Sequence, residues 1–149
     1  MIALACDHGG FELMADVKKY LETANHDYKD FGTFSSESCD YPTIAAPAAK
    51  SISEGVCDNG IFICGTGIGM SIAANKTPGI RAALCTNRYM AEMTRSHNDA
   101  NVLVLGGRVT DSDIAIEIVK DFLCTPFSEK EKHCRRVEML NELDESRKG

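Results

Sequence analysis

The chain has no tryptophan, only four prolines, no long apolar run and no excess of basic residues. No segment approaches the roughly 18 consecutive apolar residues of a membrane-spanning helix, so no membrane partner is expected. Lys plus Arg number 16 against 22 Asp plus Glu, which gives a formal net charge of −6. Domains that bind nucleic acid are commonly basic, so this balance argues against a nucleic-acid partner.

The seven cysteines include no Cys-x-x-Cys pair, and their odd number does not suit a complete disulfide framework. We therefore expect neither a disulfide framework nor a zinc ribbon, and most of these thiols should be small buried side chains. The N-terminus lacks the basic segment of a secretory signal and reaches the acidic Asp7 early. These features predict a cytoplasmic protein.

Short apolar runs alternate with longer segments of helical periodicity. Strands are predicted at 2–6, 28–31, 60–64, 81–85 and 101–105, and helices at about 10–24, 42–55, 70–76, 87–96, 111–123 and 128–147. Pro47 predicts an irregular turn or kink in the second helix, and Asp111 or Ser112 is the expected N-cap of the fifth. Strands without polar alternation, each followed by a helix, indicate a parallel sheet covered on both faces. We therefore predict one domain, over 1–149, with a Rossmann-like α/β/α sandwich.

Ligands of such sheets bind beyond the carboxyl ends of the strands. The Cys-Gly-Thr-Gly-Ile-Gly turn at 64–69 directly follows a hydrophobic strand. Its three glycines allow positive φ angles and close backbone approach, and the next helix begins with unpaired N–H groups. The turn therefore predicts a cradle for an anion or an oxyanion.

Three known loops fail to match this turn. The dinucleotide fingerprint needs glycine at position 70 and a Cys-x5-Arg phosphatase loop needs arginine there, but the residue is Met70, and the Walker sequence is absent. A helix N-terminus favours the thiolate form of cysteine, so Cys64 is a candidate base or nucleophile. The alternative is a buried strand-end thiol like Cys6 or Cys85.

Two histidine-containing segments are further candidates. Asp7 and His8 follow the first strand, where they suit a sugar hydroxyl or a phosphate; the alternative is a capping Asp beside an incidental His. His97 and Asn98 are expected between the fourth helix and the fifth strand, and histidine is the natural acid–base group near neutral pH. The alternative is a histidine at a helix end that hydrogen-bonds backbone carbonyls. We expect His97, Asp7 and Cys64 to converge at one edge of the sheet. The spacing of the acidic and histidine side chains matches no metal-ligand motif, so no metal is expected.

Basic side chains provide the candidate anion ligands. Arg108 follows the fifth strand, and Lys132 and Arg136 share one face of the terminal helix. The alternative for that helix is a solvated basic stretch. Its apolar residues recur at helical spacing, which suits packing either on its own domain or at a subunit interface: Val137, Leu140 and Leu143.

Together, these segments resemble the type B ribose-5-phosphate isomerases, whose wider family includes isomerases of galactose 6-phosphate and allose 6-phosphate. The resemblance extends to R-R-V-E at 135–138 and rests on C-D-H-G-G at 6–10, S-S-E-S-C-D-Y-P at 35–42, C-G-T-G-I-G-M-S-I-A-A-N-K at 64–76, S-H-N-D-A-N at 96–101 and G-G-R-V at 106–109. It implies a five-stranded parallel sheet and isomerisation of ribose 5-phosphate without metal or cofactor. It also implies a homodimer, sometimes paired into a tetramer, with active sites at the subunit interface and the terminal helix contributing there.

The resemblance also implies a role for each matching residue. Cys64 is the expected base, since 71–76 lacks the Glu that other members use, and Thr66 and His97 are expected to move a proton between substrate oxygens and to open the sugar ring. The other expected substrate contacts are Asp7, Tyr41 and Asn98 at the hydroxyls, His8, Arg108, Lys132 and Arg136 at the phosphate, and Gly65, Gly67, Ile68 and Gly69 at the developing charge. Lys132 stands where the family often has Arg, and a lysine cannot form the bidentate fork of a guanidinium.

Three other functions are compatible with the residues. The first is isomerisation of a six-carbon sugar phosphate by the same chemistry. The second is a non-catalytic module that binds nucleotide or phosphate. The third is a Cys–His hydrolase.

Overall fold

The computed structural model describes residues 1–147. Its strands are β1 (Ile2–Cys6), β2 (Tyr28–Asp30), β3 (Asn59–Cys64), β4 (Ala82–Leu84) and β5 (Val102–Gly106). Its helices are α1 (Phe11–Thr23), α2 (Tyr41–Ser53), α3 (Ile68–Ala74), α4 (Arg88–Asn98), α5 (Ser112–Cys124) and α6 (Glu131–Ser146). The predicted alternation of strands and helices is confirmed.

The strands form one parallel sheet in the order β2-β1-β3-β5-β4. The predicted Rossmann-like fold with a five-stranded parallel sheet is thus confirmed. Cys6 pairs with Ile63 and Cys64 pairs with Gly106, so the three central strands end at nearly the same level. The turns that follow β1, β3 and β5 therefore meet at one edge, which we call the carboxyl edge.

Both faces of the central strands are buried, which explains their unbroken apolar sequences. One face packs on α1 and α5 through Leu4, Ile63 and Leu105, among others. The opposite face packs on α2 and α3, and its cluster contains Phe62, Cys64 and Met70. Each fully buried large apolar side chain contributes roughly 1.5–3 kcal/mol. Four of the seven cysteines are buried, as expected: Cys6, Cys57, Cys64 and Cys85.

The edge strand β4 is closed by a side chain. The Asn75 amide accepts a hydrogen bond from the Ala82 N–H at 2.8 Å and donates one to the Ala82 carbonyl at 3.0 Å. It thereby takes the place of a neighbouring strand, which protects the edge from pairing with another chain.

In the described residues no helix is long and apolar enough to cross a membrane.

Several helix boundaries differ from those predicted. The last helix begins at Glu131 rather than at 128, because Glu129 has a left-handed φ of 58° that interrupts a helix. The helix expected at 70–76 begins instead at Ile68, directly after Gly67, whose φ is 82°. The fourth helix continues to Asn98, beyond its predicted end at 96.

Two expectations about helix α2 and helix α5 have different outcomes. The helix over Tyr41–Ser53 continues through Pro47, where an irregular turn was expected. Pro42 lies in its first turn, where a missing N–H costs nothing. Asp111 is the N-cap of α5, as predicted, while the Ser112 hydroxyl donates to the Asp16 carboxylate at 2.8 Å.

Candidate active site

The turns after β3 and β5 are hydrogen-bonded to each other at the carboxyl edge. The Gly107 N–H donates to the Cys64 carbonyl at 2.8 Å, and the Arg108 N–H donates to the Gly65 carbonyl at 2.9 Å. A Cβ atom on Gly65 would lie 3.2 Å from Nη1 of Arg108. The Arg108 guanidinium is therefore held beside the glycine turn, as expected for an anion ligand.

Asp7 brings the turn after β1 into the same site. Its side chain is 6% exposed, and one carboxylate oxygen accepts the Gly9 N–H at 2.8 Å. A Cβ atom on Gly9 would lie 2.8 Å from the Gly65 nitrogen, so the two turns are in contact. Three adjacent strand ends thus place Asp7, Cys64 and Arg108 together, as the sequence predicted.

Cys64 is the last residue of β3 and is 4% exposed. Its side chain belongs to the apolar cluster on the α2 and α3 face of the sheet. Tyr41, the first residue of α2, lies on the same face, because a Cβ atom on Gly69 would come within 2.7 Å of Cζ of the Tyr41 ring. Cys64 therefore directly precedes the glycine turn, and the Tyr41 ring lies over the first turn of α3.

The glycine turn differs in one detail from the predicted cradle. Gly67 is left-handed, and a Cβ atom there would also lie 2.5 Å from Cδ1 of Leu84, so only glycine fits. Ile68 and Gly69 belong to α3 rather than to the turn. The Ile68 N–H donates to Oγ1 of Thr66 at 3.3 Å, so this N–H is already occupied.

His8 is oriented by a residue that sequence reasoning did not assign to the site. The Cys39 backbone N–H donates to Nδ1 of His8 at 3.2 Å, which fixes Nδ1 as the acceptor. The proton of a neutral His8 ring is therefore on Nε2, where it can serve as a donor to an anion. Cys39 lies within the 35–42 motif, but a backbone contact leaves no signal in residue type.

His97 and Asn98 do not lie at the carboxyl edge. They occupy the last turn of α4, which begins after β4 and runs back to the opposite, amino edge. Nε of Arg81, which precedes β4, donates to the Asn98 carbonyl at 3.0 Å. The expectation that His97 converges with Asp7 and Cys64 is thus wrong within one chain, because a helix after a parallel strand returns to the start of the sheet.

A second group of expected substrate residues surrounds His97. We call it the His97 cluster: the expected residues His97, Asn98, Lys132 and Arg136, together with His133. The rings of His97 and His133 are stacked with centroids 4.2 Å apart. Lys132 and Arg136 are exposed on α6 on either side of His133. Sequence reasoning gave His133 no role, because its burial depends on a contact between α4 and α6.

Apolar side chains of α6 remain exposed near this cluster. Leu140 is 43% and Leu143 is 62% exposed, and both line a groove of about 400 Å³ that also contacts Asn98. The packing of this face on its own chain is thus incomplete. Among residues 1–147 no group of three metal-binding side chains is found.

The fold and the carboxyl-edge site define an α/β protein with a thiol, a carboxylate and a guanidinium around a glycine turn. The family model described as Ribose/Galactose Isomerase matches residues 2–140, and the chain belongs to this family. Ribose-5-phosphate isomerase B of Escherichia coli is 43% identical over 98% of this chain and 97% of its own length.

Solved structures agree with this assignment. Ribose-5-phosphate isomerase B of Clostridium thermocellum has a TM-score of 0.95 at 47% identity, with 97% of each chain covered. A ribose 5-phosphate isomerase of Thermotoga maritima has a TM-score of 0.91 at 50% identity, covering 95% of this chain and 97% of its own. The protein is thus a sugar-phosphate aldose–ketose isomerase, as expected, rather than a binding module or a hydrolase.

Proposed function

We propose that the protein interconverts ribose 5-phosphate and ribulose 5-phosphate, with Cys64 as the base. The observation that carries this proposal is the position of Cys64 at the end of β3, directly before the glycine turn whose last glycine meets the Tyr41 ring. The similar proteins named ribose-5-phosphate isomerase support the choice of substrate, and one solved structure, from Mycoplasma genitalium, is described with bound ribulose-5-phosphate.

The proposed reaction balances without a redox partner. His97 moves the proton of the O1 hydroxyl to the ring oxygen as the bond between C1 and the ring oxygen breaks, which gives the open aldehyde. The Cys64 thiolate then takes the C2 proton, and the electron pair moves to O1 in a cis-enediolate. Thr66 assists proton transfer from O2 to O1, and the Cys64 thiol returns its proton to C1 to give the ketose.

The other carboxyl-edge residues bind the substrate and stabilise the enediolate in this scheme. Asp7 and Tyr41 contact sugar hydroxyls and the reacting oxygens, and His8 and Arg108 bind phosphate. Free N–H groups of the glycine turn stabilise the enediolate, and losing one such donor typically raises a barrier by about 2.7–4 kcal/mol. General-base catalysis by a thiolate supplies about 10²–10⁴-fold.

We further propose that two copies of the chain build each site. An α-helix rises about 1.5 Å per residue, so the 11 residues of α4 separate its ends by roughly 16 Å. A sugar phosphate at Cys64 therefore reaches the His97 cluster only on a second subunit, where Asn98, Lys132 and Arg136 add ligands. In this homodimer the exposed face of α6 packs on the partner; pairing into a tetramer stays a prediction from the resemblance. Seven free thiols fit a cytosolic enzyme.

A six-carbon sugar phosphate is the second candidate substrate. The family description covers galactose as well as ribose isomerases, and the same base and enediolate serve both reactions. Comparing kcat/KM for ribose 5-phosphate and for a six-carbon aldose phosphate decides between the two. We expect the five-carbon substrate to be preferred.

The first experiment measures ribulose 5-phosphate formation from ribose 5-phosphate by the purified protein in EDTA. We expect turnover, and in the Cys64→Ala variant we expect it to fall by at least about 10²-fold, with binding of substrate retained. Cys57→Ala is the matched control, since Cys57 is another buried thiol of the same apolar cluster. Near-normal turnover of Cys64→Ala eliminates Cys64 as the base, and no turnover by the folded wild-type protein overturns the proposed substrate.

A further inference from the structure

His133 is a buried residue on an otherwise exposed helix, and the scheme above does not use it. Its exposed fraction is 4%. Burying an imidazole costs free energy unless its polar atoms have partners. The partners of His133 therefore indicate what the ring does in this position.

Two contacts hold the His133 ring between α6 and α4. Its Nδ1 is hydrogen-bonded to the Ser128 hydroxyl at 2.5 Å, and its face is stacked on His97 with 29° between the ring planes. The Ser128 backbone N–H in turn donates to the Ser96 carbonyl, next to His97, at 3.0 Å. Ser128 thus ties His133 to the end of α4.

The charged groups around His133 favour its neutral form. Burial lowers the pKa of His133 most, followed by His97 on α4 and by the cations Lys132, Lys130 and Arg136 of its own segment. Two stacked imidazolium rings would repel each other, so protonation of one ring opposes protonation of the other.

The stack on His133 is the one ring contact that the described residues give His97. Within residues 1–147 the His97 ring makes no hydrogen bond or ion pair, and the residue is exposed. An exposed histidine samples several side-chain rotamers, whereas proton transfer needs a fixed donor direction. We propose that His133, anchored by Ser128, is a positioning residue that holds the His97 ring in the orientation for opening the sugar ring. This inference rests on the proposed function of His97.

Two activities separate ring opening from the later chemistry. Isomerisation of ribose 5-phosphate starts from a furanose and needs ring opening. Exchange of the C1 hydrogen of ribulose 5-phosphate with D2O needs only the base, because phosphorylation of O5 keeps this ketose acyclic. A residue that positions His97 should affect the first activity and spare the second.

We therefore compare His133→Ala, which removes the stacked ring, with His133→Phe, which keeps it. In His133→Ala we expect the isomerisation kcat to fall about tenfold with KM and C1 exchange unchanged, since orientation is only part of an acid–base contribution of about 10²–10⁴-fold. In His133→Phe we expect isomerisation within about threefold of wild type. His26→Ala is the control, because His26 stacks on Tyr20 away from the site and should change neither activity.

Proton NMR of His97 provides a readout that does not depend on turnover. A stacked ring shifts the His97 carbon-bound protons upfield, and we expect this shift in wild type and His133→Phe but not in His133→Ala. Ser128→Ala removes the anchor without removing the ring, so it tests the same idea if His133→Ala fails to fold. Here we expect a smaller loss of isomerisation and broadened His97 signals.

Other outcomes overturn this inference. A raised KM in both His133 variants means that His133 binds the substrate itself, and equal losses of isomerisation and exchange mean that it supports the whole site. Unchanged isomerisation in His133→Ala means that the stack is irrelevant. We also measure His97→Ala. If this variant isomerises ribose 5-phosphate at the wild-type rate, the proposed role of His97 fails. That result is distinct from failure of the proposed role of His133 alone.

Discussion

Tyr41 lies over the first turn of α3 because residue 69 has no side chain. A Cβ atom on Gly69 would lie 2.7 Å from Cζ and 2.9 Å from Cε1 of the Tyr41 ring, which forces the ring to move. We expect Gly69→Ala to cost about 1–3 kcal/mol in stability through overpacking. We also expect kcat/KM to fall by more than about tenfold, since Tyr41 is a proposed substrate contact.

A double-mutant cycle tests whether the ring is the cause. Tyr41→Ala removes the clash, so Gly69→Ala should cost little stability in a Tyr41→Ala background. Alanine also has a higher helix propensity than glycine, which favours the substitution once the ring is gone. Urea unfolding gives the stabilities of the four proteins. Additive stability losses would show that residue 69 is constrained by something other than Tyr41.

At the scale of elements, an ion pair joins α4 to α5. The Arg88 guanidinium donates from Nε to Asp121 at 2.7 Å and from Nη2 at 3.1 Å, and these hydrogen bonds lower the pKa of the Asp121 carboxyl. A carboxyl with a lowered pKa stabilises the folded state above its unfolded pKa and loses that contribution as the pH falls through its folded pKa. The contribution of this pair should therefore be complete at pH 7 and absent in strong acid.

We expect Asp121→Asn to lower the free energy of unfolding by about 1 kcal/mol at pH 7, since Arg88 is largely exposed. The difference from wild type should shrink as the pH falls below the ordinary aspartate value of 3.8. Urea unfolding across this pH range measures it. Glu117→Gln is the comparison, because its carboxylate reaches Arg88 only at 3.8 Å and pairs more closely with Lys120 at 3.1 Å. A difference for Asp121→Asn that persists unchanged in acid would mean that its charge is not responsible.

The sequence was most informative about elements whose environment is uniform. The central strands β1, β3 and β5 lie within about one residue of their predicted positions because both faces are buried, which requires continuous apolar runs. The ends of α4 and α6 were misplaced because they depend on single backbone conformations. Because Glu129 is left-handed, α6 begins after it rather than at 128. Asp99 has a φ of 47°, so α4 ends at Asn98 rather than at 96.

At the scale of the whole molecule, strand order decided which site residues could be predicted together. Asp7, Cys64 and Arg108 follow three adjacent parallel strands, so the rule for strand ends placed them correctly. His97 lies in the last turn of a helix rather than directly after a strand, and the same topology places it at the opposite edge. His133 carries no sequence signal at all, since its burial needs α6 to dock on α4.

The carboxyl edge and the His97 cluster lie at opposite edges of the sheet, so they can contact the same substrate only if two chains pair. In a two-fold symmetric dimer, the carboxyl edge of each subunit then faces the His97 cluster of the other. A monomeric mass at micromolar concentration would contradict this arrangement. A dimer in which Cys64 and His97 act within the same subunit would also contradict it. Mixing two inactive variants distinguishes that dimer from the proposed one.

Cys64→Ala and His97→Ala subunits are each inactive on ribose 5-phosphate in this scheme, but they are defective at different edges. A mixed dimer has one site with both substitutions and one site with neither. After equal mixing and subunit exchange, half of the dimers are mixed, so we expect roughly a quarter of wild-type turnover to return. A mixture of Cys64→Ala with wild-type-like Cys57→Ala subunits should keep half of wild-type turnover with or without exchange, so it controls for activity lost on mixing. If the mixture of the two inactive variants gains no activity although mass spectrometry shows mixed dimers, Cys64 and His97 do not act across the subunit interface.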